Sequence, residues 1–478
     1  MTAVSNAKWI AVSQIARLLS QVANIVILAR FLSPSDYGLM GMAMVVTNLA
    51  LLLRDMGTAA AIIQIKEIND EIITSVFWLN VIVGFIVCII ILLTSTLVSS
   101  YFNAPALMLV LCGLSLIFPI SSFTAAQKAL LERRSAFRPV AQAEILSIIL
   151  SMIFAVLAAV AGWGVYSFVV QSISAAIIAS ILLWVESDWH PSIKPSLSKI
   201  NEVLPFSGHM TGFQIIFYCT RNLDTVVIGK MLGSGALGMY SVASKIMLLP
   251  IQNISWIASR ALYPVMSRNQ EKLSETGKLF LSTVGFISFI TAPLMVGIFV
   301  LREPFVLHAL GVKWFEVTNI LLYLAPIGYI QSIVGINTTV LMAQGKTKYL
   351  MAFSVFSGLV LTTAFIIGAK FGVQGVALGY LLASILSAIP ALYMSTKLIQ
   401  VTILEWMTEL IKSIFLALSM GLILKWCSLL LKDDLNNSIV IFTSVIILGV
   451  VLYAVLSYIF IPEQVNSIIK HLKKSKPK

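Results

Sequence analysis

Fourteen runs of predominantly apolar residues follow one another along this chain, each about as long as the 20 residues a bilayer-spanning helix needs. Their approximate bounds are 9–31, 37–62, 72–98, 106–127, 140–161, 164–186, 204–230, 236–262, 279–300, 318–342, 349–369, 374–396, 409–431 and 439–461. Hydrocarbon offers no partner for backbone N–H and C=O groups, so each run is expected to bond within itself as a transmembrane helix. With 59% hydrophobic and 11% charged residues and a mean hydropathy of +0.97, the 478-residue chain lies outside the range of water-soluble folds. The first run carries Gln14, Arg17, Gln21 and Asn24 and lacks a small-residue cleavage site, so it does not read as a signal peptide.

Part of the chain is duplicated. The segment Asn24–Gly38, NIVILARFLSPSDYG, recurs 200 residues later as Asp224–Gly238, DTVVIGKMLGSGALG. At the same offset Gln14 matches Gln214, Asn24 matches Asp224, Leu32 matches Leu232 and Gly38 matches Gly238. Six spans separate the copies, so both enter the membrane in the same direction and form a parallel repeat. A fainter echo links Gly162-Trp-Gly-Val165 to Gly372-Val-Gln-Gly-Val376. The expected fold is an all-α integral membrane protein of about 14 transmembrane helices, with six-helix lobes at 1–190 and 200–400. A helix pair at 405–461 and a basic tail at 462–478 follow, and the proline-interrupted linker Ser187–Pro195 separates the lobes. Gly212, Pro250, Gly285, Pro293 and Pro326 are candidate bending points within spans.

The net charge of +12 does not require nucleic acid, because the placement of Lys and Arg carries the information in a membrane protein. With the N-terminus inside, 21 basic residues fall on inner segments and 6 on outer ones. That bias puts both termini in the cytoplasm and favours an even number of spans. The tail from Lys470 to Lys478 is then a lipid-facing inner end. Cys88, Cys112, Cys219 and Cys427 all lie within spans at spacings that fit no zinc or redox motif, and the four histidines are scattered. Neither a metal nor a cofactor is expected.

On the first span Gln14, Arg17, Gln21 and Asn24 recur at spacings of three, four and three, within an arc of about 80° of one helical face. Gln214, Arg221 and Asp224 trace the equivalent face in the second copy. An arginine near the bilayer centre costs about 2.5–3.5 kcal/mol on insertion scales, so neither face can point at lipid. The two stripes are expected to line a shared cavity; the alternative is helix-to-helix bonding, with an i,i+3 ion pair between Arg221 and Asp224. Arg54 with Asp55, Lys245 and Arg260 extend the same surface, whereas Lys412 and Lys425 read as interfacial. The deep cations Arg17, Arg54, Arg221, Lys245 and Arg260 outnumber the acids Asp55, Glu144 and Asp224. Such a cavity attracts anions, and arginine forks suit phosphate or carboxylate. Asp36, Asp55, Glu144 and Asp224 are the candidate coupling or gating carboxylates. No Walker loop, nucleophile elbow or soluble catalytic domain is present, so a transporter rather than an enzyme is expected.

Several short motifs together resemble the polysaccharide transporter (Wzx-type) family. They are Asn6-Ala-Lys-Trp9, Leu28-Ala-Arg-Phe-Leu-Ser-Pro-Ser-Asp-Tyr-Gly38, Asp55-Met-Gly57, Ile63-Gln-Ile-Lys-Glu-Ile68, Phe77-Trp-Leu-Asn80, Asn222-Leu-Asp224, Leu237-Gly-Met-Tyr240, Tyr263-Pro264 and Gly311-Val-Lys-Trp314. The resemblance covers about residues 6–400 and is closest to the branch of colanic-acid and related exopolysaccharide exporters. It implies the multidrug/oligosaccharidyl-lipid/polysaccharide (MOP) exporter fold, two lobes around a cationic cavity, and alternating access. It also implies a bacterial inner-membrane flippase that moves undecaprenyl-pyrophosphate-linked oligosaccharide repeat units. Membrane lipid, a polysaccharide polymerase and chain-length machinery are the implied partners. By matching position Arg17, Arg54, Asp36 and Arg260 resemble charged residues that matter in such flippases. A multidrug or toxin extruder of the same superfamily, and a membrane-embedded polymerase of lipid-linked sugars, are the competing readings.

Overall fold

The apolar runs close their backbone hydrogen bonds as helices in the computed structural model, which describes residues 3–55, 62, 69–192, 218 and 221–462. In chain order these are α1 (Ala3–Phe31), α2 (Pro34–Asp55), α3 (Asp70–Phe102), α4 (Ala106–Ser115), α5 (Ile117–Ser122), α6 (Ala125–Arg133), α7 (Phe137–Val160) and α8 (Tyr166–Glu186). There follow α9 (Leu223–Pro250), α10 (Trp256–Arg268), α11 (Leu273–Val300), α12 (Arg302–Ala309) and α13 (Val317–Ala343). The last are α14 (Thr347–Ala369), α15 (Gly372–Leu398), α16 (Ile403–Leu430), α17 (Lys432–Asn437) and α18 (Ile439–Phe460).

Among the described residues 12 segments are long and apolar enough to cross a membrane, and a bent fourth span makes 13. Of the fourteen expected, the seventh falls largely outside the described residues. Its last turns continue past Gly233, whose φ of 83° breaks the helix, into the eighth. Pro250 is followed by a π-helical turn, Ile251–Ser255, so this expected bending point coincides with an irregularity. α11 and α13 instead run through Pro293 and Pro326.

The fourth span is the departure from a plain helix: α4–α5 and α6 are inclined by 44°. Pro119 removes one backbone donor there. The hydroxyls of Ser121, Ser122 and Thr124 then donate to the carbonyls of Ile117, Phe118 and Ser121, competing for acceptors the helix would use. Hydropathy does not register such a break, because the residues around it remain apolar.

The chain forms two compact units, Met1–Gly238 and Met239–Lys478. Unit one holds all of the first expected lobe together with the opening of α9. In it α3 packs on α4 and α5, α8 packs on α5 and α7, α1 runs along α7, and α2 lies against α3 and α4. In unit two α11 packs on α13, α13 on α15, and α14 on α15. Contacts of the third span with the fourth, the fourth with the sixth and the fifth with the sixth therefore recur six spans later.

The turns repeat as well. Ser135 and Gly345 take up left-handed φ values of 56° and 66° before the fifth and eleventh spans. Gly162 and Gly372 take up 80° and 78° before the sixth and twelfth, where the faint sequence echo lies. The final pair of spans is docked rather than loose. Leu416, Ala417 and Met420 of α16 and Phe442 and Val445 of α18 join Ala292 of α11 in one buried cluster, and the Tyr453 hydroxyl donates to the Phe289 carbonyl at 2.9 Å. Outward-facing Leu93, Val185 and Leu404 are each more than 70% exposed, as lipid-facing side chains of a multi-pass membrane protein are.

Within unit one the two copies of the duplicated segment meet. A Cβ on Gly38 would overlap the carbonyl oxygen of Ser234, and a Cβ on Gly238 would overlap the carbonyl oxygen of Pro34. Residues 34 and 234 are themselves equivalent in the repeat, so the contact is reciprocal: each copy's glycine accepts the other copy's helix start. This explains why the glycine was duplicated with the apolar frame, since no other residue allows backbones to approach so closely.

Candidate functional site

The polar face of α1 is built on a helix that touches the rest of unit one chiefly along α7. Gln14, Arg17 and Gln21 remain exposed on that face, and Asn24, one turn further on, is half-buried. The Asn24 side-chain oxygen accepts a hydrogen bond from the Gln171 amide of α8 at 2.8 Å, and its backbone carbonyl accepts one from the Tyr37 hydroxyl at 2.9 Å. These bonds fix the C-terminal part of α1 to α2 and α8, while the segment around Arg17 stays open to solvent.

Arg17 has an acid partner that its own helix could not supply. Its guanidinium lies 2.7 Å from Glu144 Oε1 on α7, and the Lys128 ammonium of α6 donates to the same oxygen at 2.9 Å. Glu132, one turn after Lys128, approaches that ammonium at 4.0 Å. Arg17 and Lys128 keep 48% and 41% of their side chains exposed, against 19% for Glu144. The carboxylate is thus held underneath by two cations that still face water.

Asp36 is engaged locally. Ser33 precedes Pro34, the first residue of α2, and the Asp36 carboxylate accepts from the Ser33 backbone N–H at 2.8 Å and from its hydroxyl at 2.7 Å. The Asp36 N–H in turn donates to the Ser33 hydroxyl at 3.3 Å. This is a capping box with Asp in the usual Glu position. Asp36→Ala is expected to lower stability by about 1 kcal/mol, read as a lower midpoint in thermal unfolding of the detergent-purified protein.

The remaining expected site residues are placed as follows. Arg54 is half-buried in the last turn of α2, where a cation complements the helix dipole, and the Asp55 side chain lies outside the described residues. Arg221 is exposed just before α9, and the Asp224 carboxylate, in the first turn of α9, accepts from the Thr225 N–H at 2.6 Å. In unit two Lys245 of α9 and Arg260 of α10 are exposed, and Gln214 lies outside the described residues. Arg17 and Glu144 are thus brought together, and Lys128 and Gln171 join the polar face without having been read from the sequence. Gln171, the one amide on α8, carried a usable signal. Lys128 lies one residue past the expected fourth span, 106–127, on the bent continuation of that span.

The family description "Polysaccharide biosynthesis protein" matches residues 27–319. The chain is similar to "Lipopolysaccharide biosynthesis protein WzxC" of Escherichia coli (strain K12), with 29% identity over 82% of this chain and 81% of that protein. It is also similar to "Teichuronic acid biosynthesis protein TuaB" of Bacillus subtilis (strain 168), with 22% identity over 88% of each. Among solved structures, "Lipid II flippase MurJ, inward closed conformation" superposes with a TM-score of 0.73 at 17% identity, covering 97% of this chain and 100% of that one. At that identity the superposition establishes the fold.

Proposed function

Because this chain belongs to the polysaccharide biosynthesis protein family, as a Wzx-type member of the MOP exporter superfamily, we propose that it is a flippase for lipid-linked oligosaccharides in the bacterial inner membrane. Its cargo is the undecaprenyl-pyrophosphate-linked repeat unit of an O-antigen, capsule or exopolysaccharide, moved from the cytoplasmic to the periplasmic leaflet. The names of WzxC and TuaB, both polysaccharide biosynthesis proteins, and the flippase named by the MurJ superposition support this reading.

The observation that carries it is the exposed, cation-bearing face of α1. A helix otherwise suited to lipid keeps Gln14, Arg17 and Gln21 open to solvent, and an arginine that stays half exposed beside its Glu144 partner requires a watery or anionic neighbour. The pyrophosphate is bound by such cations, with Arg54, Arg221, Lys245 and Arg260 as further contributors, while the polyprenyl tail stays in lipid. The lobes at 1–190 and 200–400 then alternate in exposing the cargo, with both termini in the cytoplasm. Transport rather than catalysis is the activity, and a polysaccharide polymerase with its chain-length machinery receives the product.

Deleting the gene in its host tests this. The expected outcome is loss of surface polysaccharide with repeat units accumulating on the cytoplasmic leaflet, both reversed by the intact gene. Repeat units that still reach the outer leaflet would overturn the proposal.

A further inference from the structure

Two cations from separate helices converge on one oxygen: Arg17 of α1 at 2.7 Å and Lys128 of α6 at 2.9 Å from Glu144 Oε1. A structural ion pair between buried helices needs only one cation per carboxylate, and it hides both charges. Here the cations are the more exposed partners, with 48% and 41% of their side chains open against 19% for the carboxylate. A guanidinium carries five N–H donors and an ammonium three, so most of their capacity remains after Glu144 is satisfied. The arrangement is an anion site with its own carboxylate already in it.

We propose that Arg17 and Lys128 form a diphosphate-binding site in which Glu144 is the resident anion that the incoming diphosphate displaces. This rests on the flippase reading for its cargo, and it adds Lys128 as a second phosphate-binding cation and Glu144 as the competitor that sets affinity. A diphosphate offers several oxygens and more than one negative charge, so it satisfies both cations at once where the carboxylate satisfies them through one atom. Glu144 retains a role after displacement. It keeps the two cations from repelling each other in the empty state, and it limits how tightly cargo is held, which a carrier needs in order to release it. The bias of basic residues puts α6 at the cytoplasmic end of unit one, the side on which cargo is loaded.

The test uses the full chain purified into phosphatidylcholine nanodiscs, titrated calorimetrically with inorganic pyrophosphate and with farnesyl diphosphate. Glu144→Gln is expected to bind both probes about tenfold more tightly than the unaltered chain, and Lys128→Gln about tenfold more weakly, each a change of about 1.4 kcal/mol. If Glu144 only braces the helices, E144Q lowers the melting temperature and leaves affinity unchanged, which overturns the proposal. Should E144Q fail to fold, K128Q decides: affinity equal to that of the unaltered chain overturns the site. Farnesyl diphosphate binding more tightly than pyrophosphate identifies a lipid headgroup as the ligand; equal affinities identify the diphosphate alone, and either supports the site. Because these titrations need no transport, a failed flippase reading leaves their outcome intact and is detected separately by the leaflet assay.

Discussion

Gly38→Val and Gly238→Val are each expected to leave little folded protein in the membrane. At both positions an added Cβ falls inside the contact distance of a backbone carbonyl oxygen, that of Ser234 or of Pro34. A side chain in the way can change rotamer, but a carbonyl within a helix start can move only with its helix. Overpacking in a well-packed interior costs roughly 1–3 kcal/mol and occasionally more, and a backbone obstacle belongs at the upper end. Gly235→Ala is the control, because its nearest neighbour is the Ser35 hydroxyl at 3.6 Å, an ordinary contact. Size-exclusion profiles of fluorescent fusions should show loss of the monodisperse peak for both valine variants and its retention for G235A. A normal peak for G38V would mean that the crossing is absent from the folded protein.

Replacing Arg17 and Arg221 together with alanine is expected to abolish polysaccharide export while the protein remains folded. Both side chains are exposed, so their truncation opens no cavity in the apolar core. Charge-assisted hydrogen bonds contribute roughly 1.5–3 kcal/mol each. Losing two from the cargo's anionic group would then weaken binding by on the order of 100-fold or more. Surface polysaccharide and the amount of folded protein, measured in the same cells, separate loss of function from loss of fold. Normal export would remove both arginines from the transport path.

How much of this could be read from the sequence depended on the range of the interaction involved. Span positions follow from local hydropathy, and the reciprocal glycines were visible because duplication wrote the same letter twice. The conformations of Gly162 and Gly372 confirm the faint echo at those turns. The bend in the fourth span was not visible: Pro119 and the back-bonding serines sit inside an apolar run and leave its hydropathy unchanged. Arg17 has no acid one turn away on its own helix, and those are the only positions that spacing can check. Its partner, Glu144, arrives from α7, and Gln171 reaches Asn24 across 147 residues of chain. Asp36 is a coupling or gating candidate by its charge, yet a carboxylate three residues after Ser33 also suits a helix cap, and its side chain caps the start of α2.

The glycine crossing also sets a timetable for biogenesis. Gly38 enters the membrane early, yet the carbonyl it packs against belongs to Ser234, so the first unit cannot close until about 200 further residues have been made. At roughly 5–20 residues per second of synthesis, the start of α2 waits on the order of 10–40 s with its glycine face turned to lipid or to a membrane chaperone. Contacts this distant in sequence are slow to form even when the whole chain is present. A nascent chain halted before the seventh span would therefore hold a set of inserted helices still lacking their closing contact, which makes that interval the one in which membrane quality control has most to recognise.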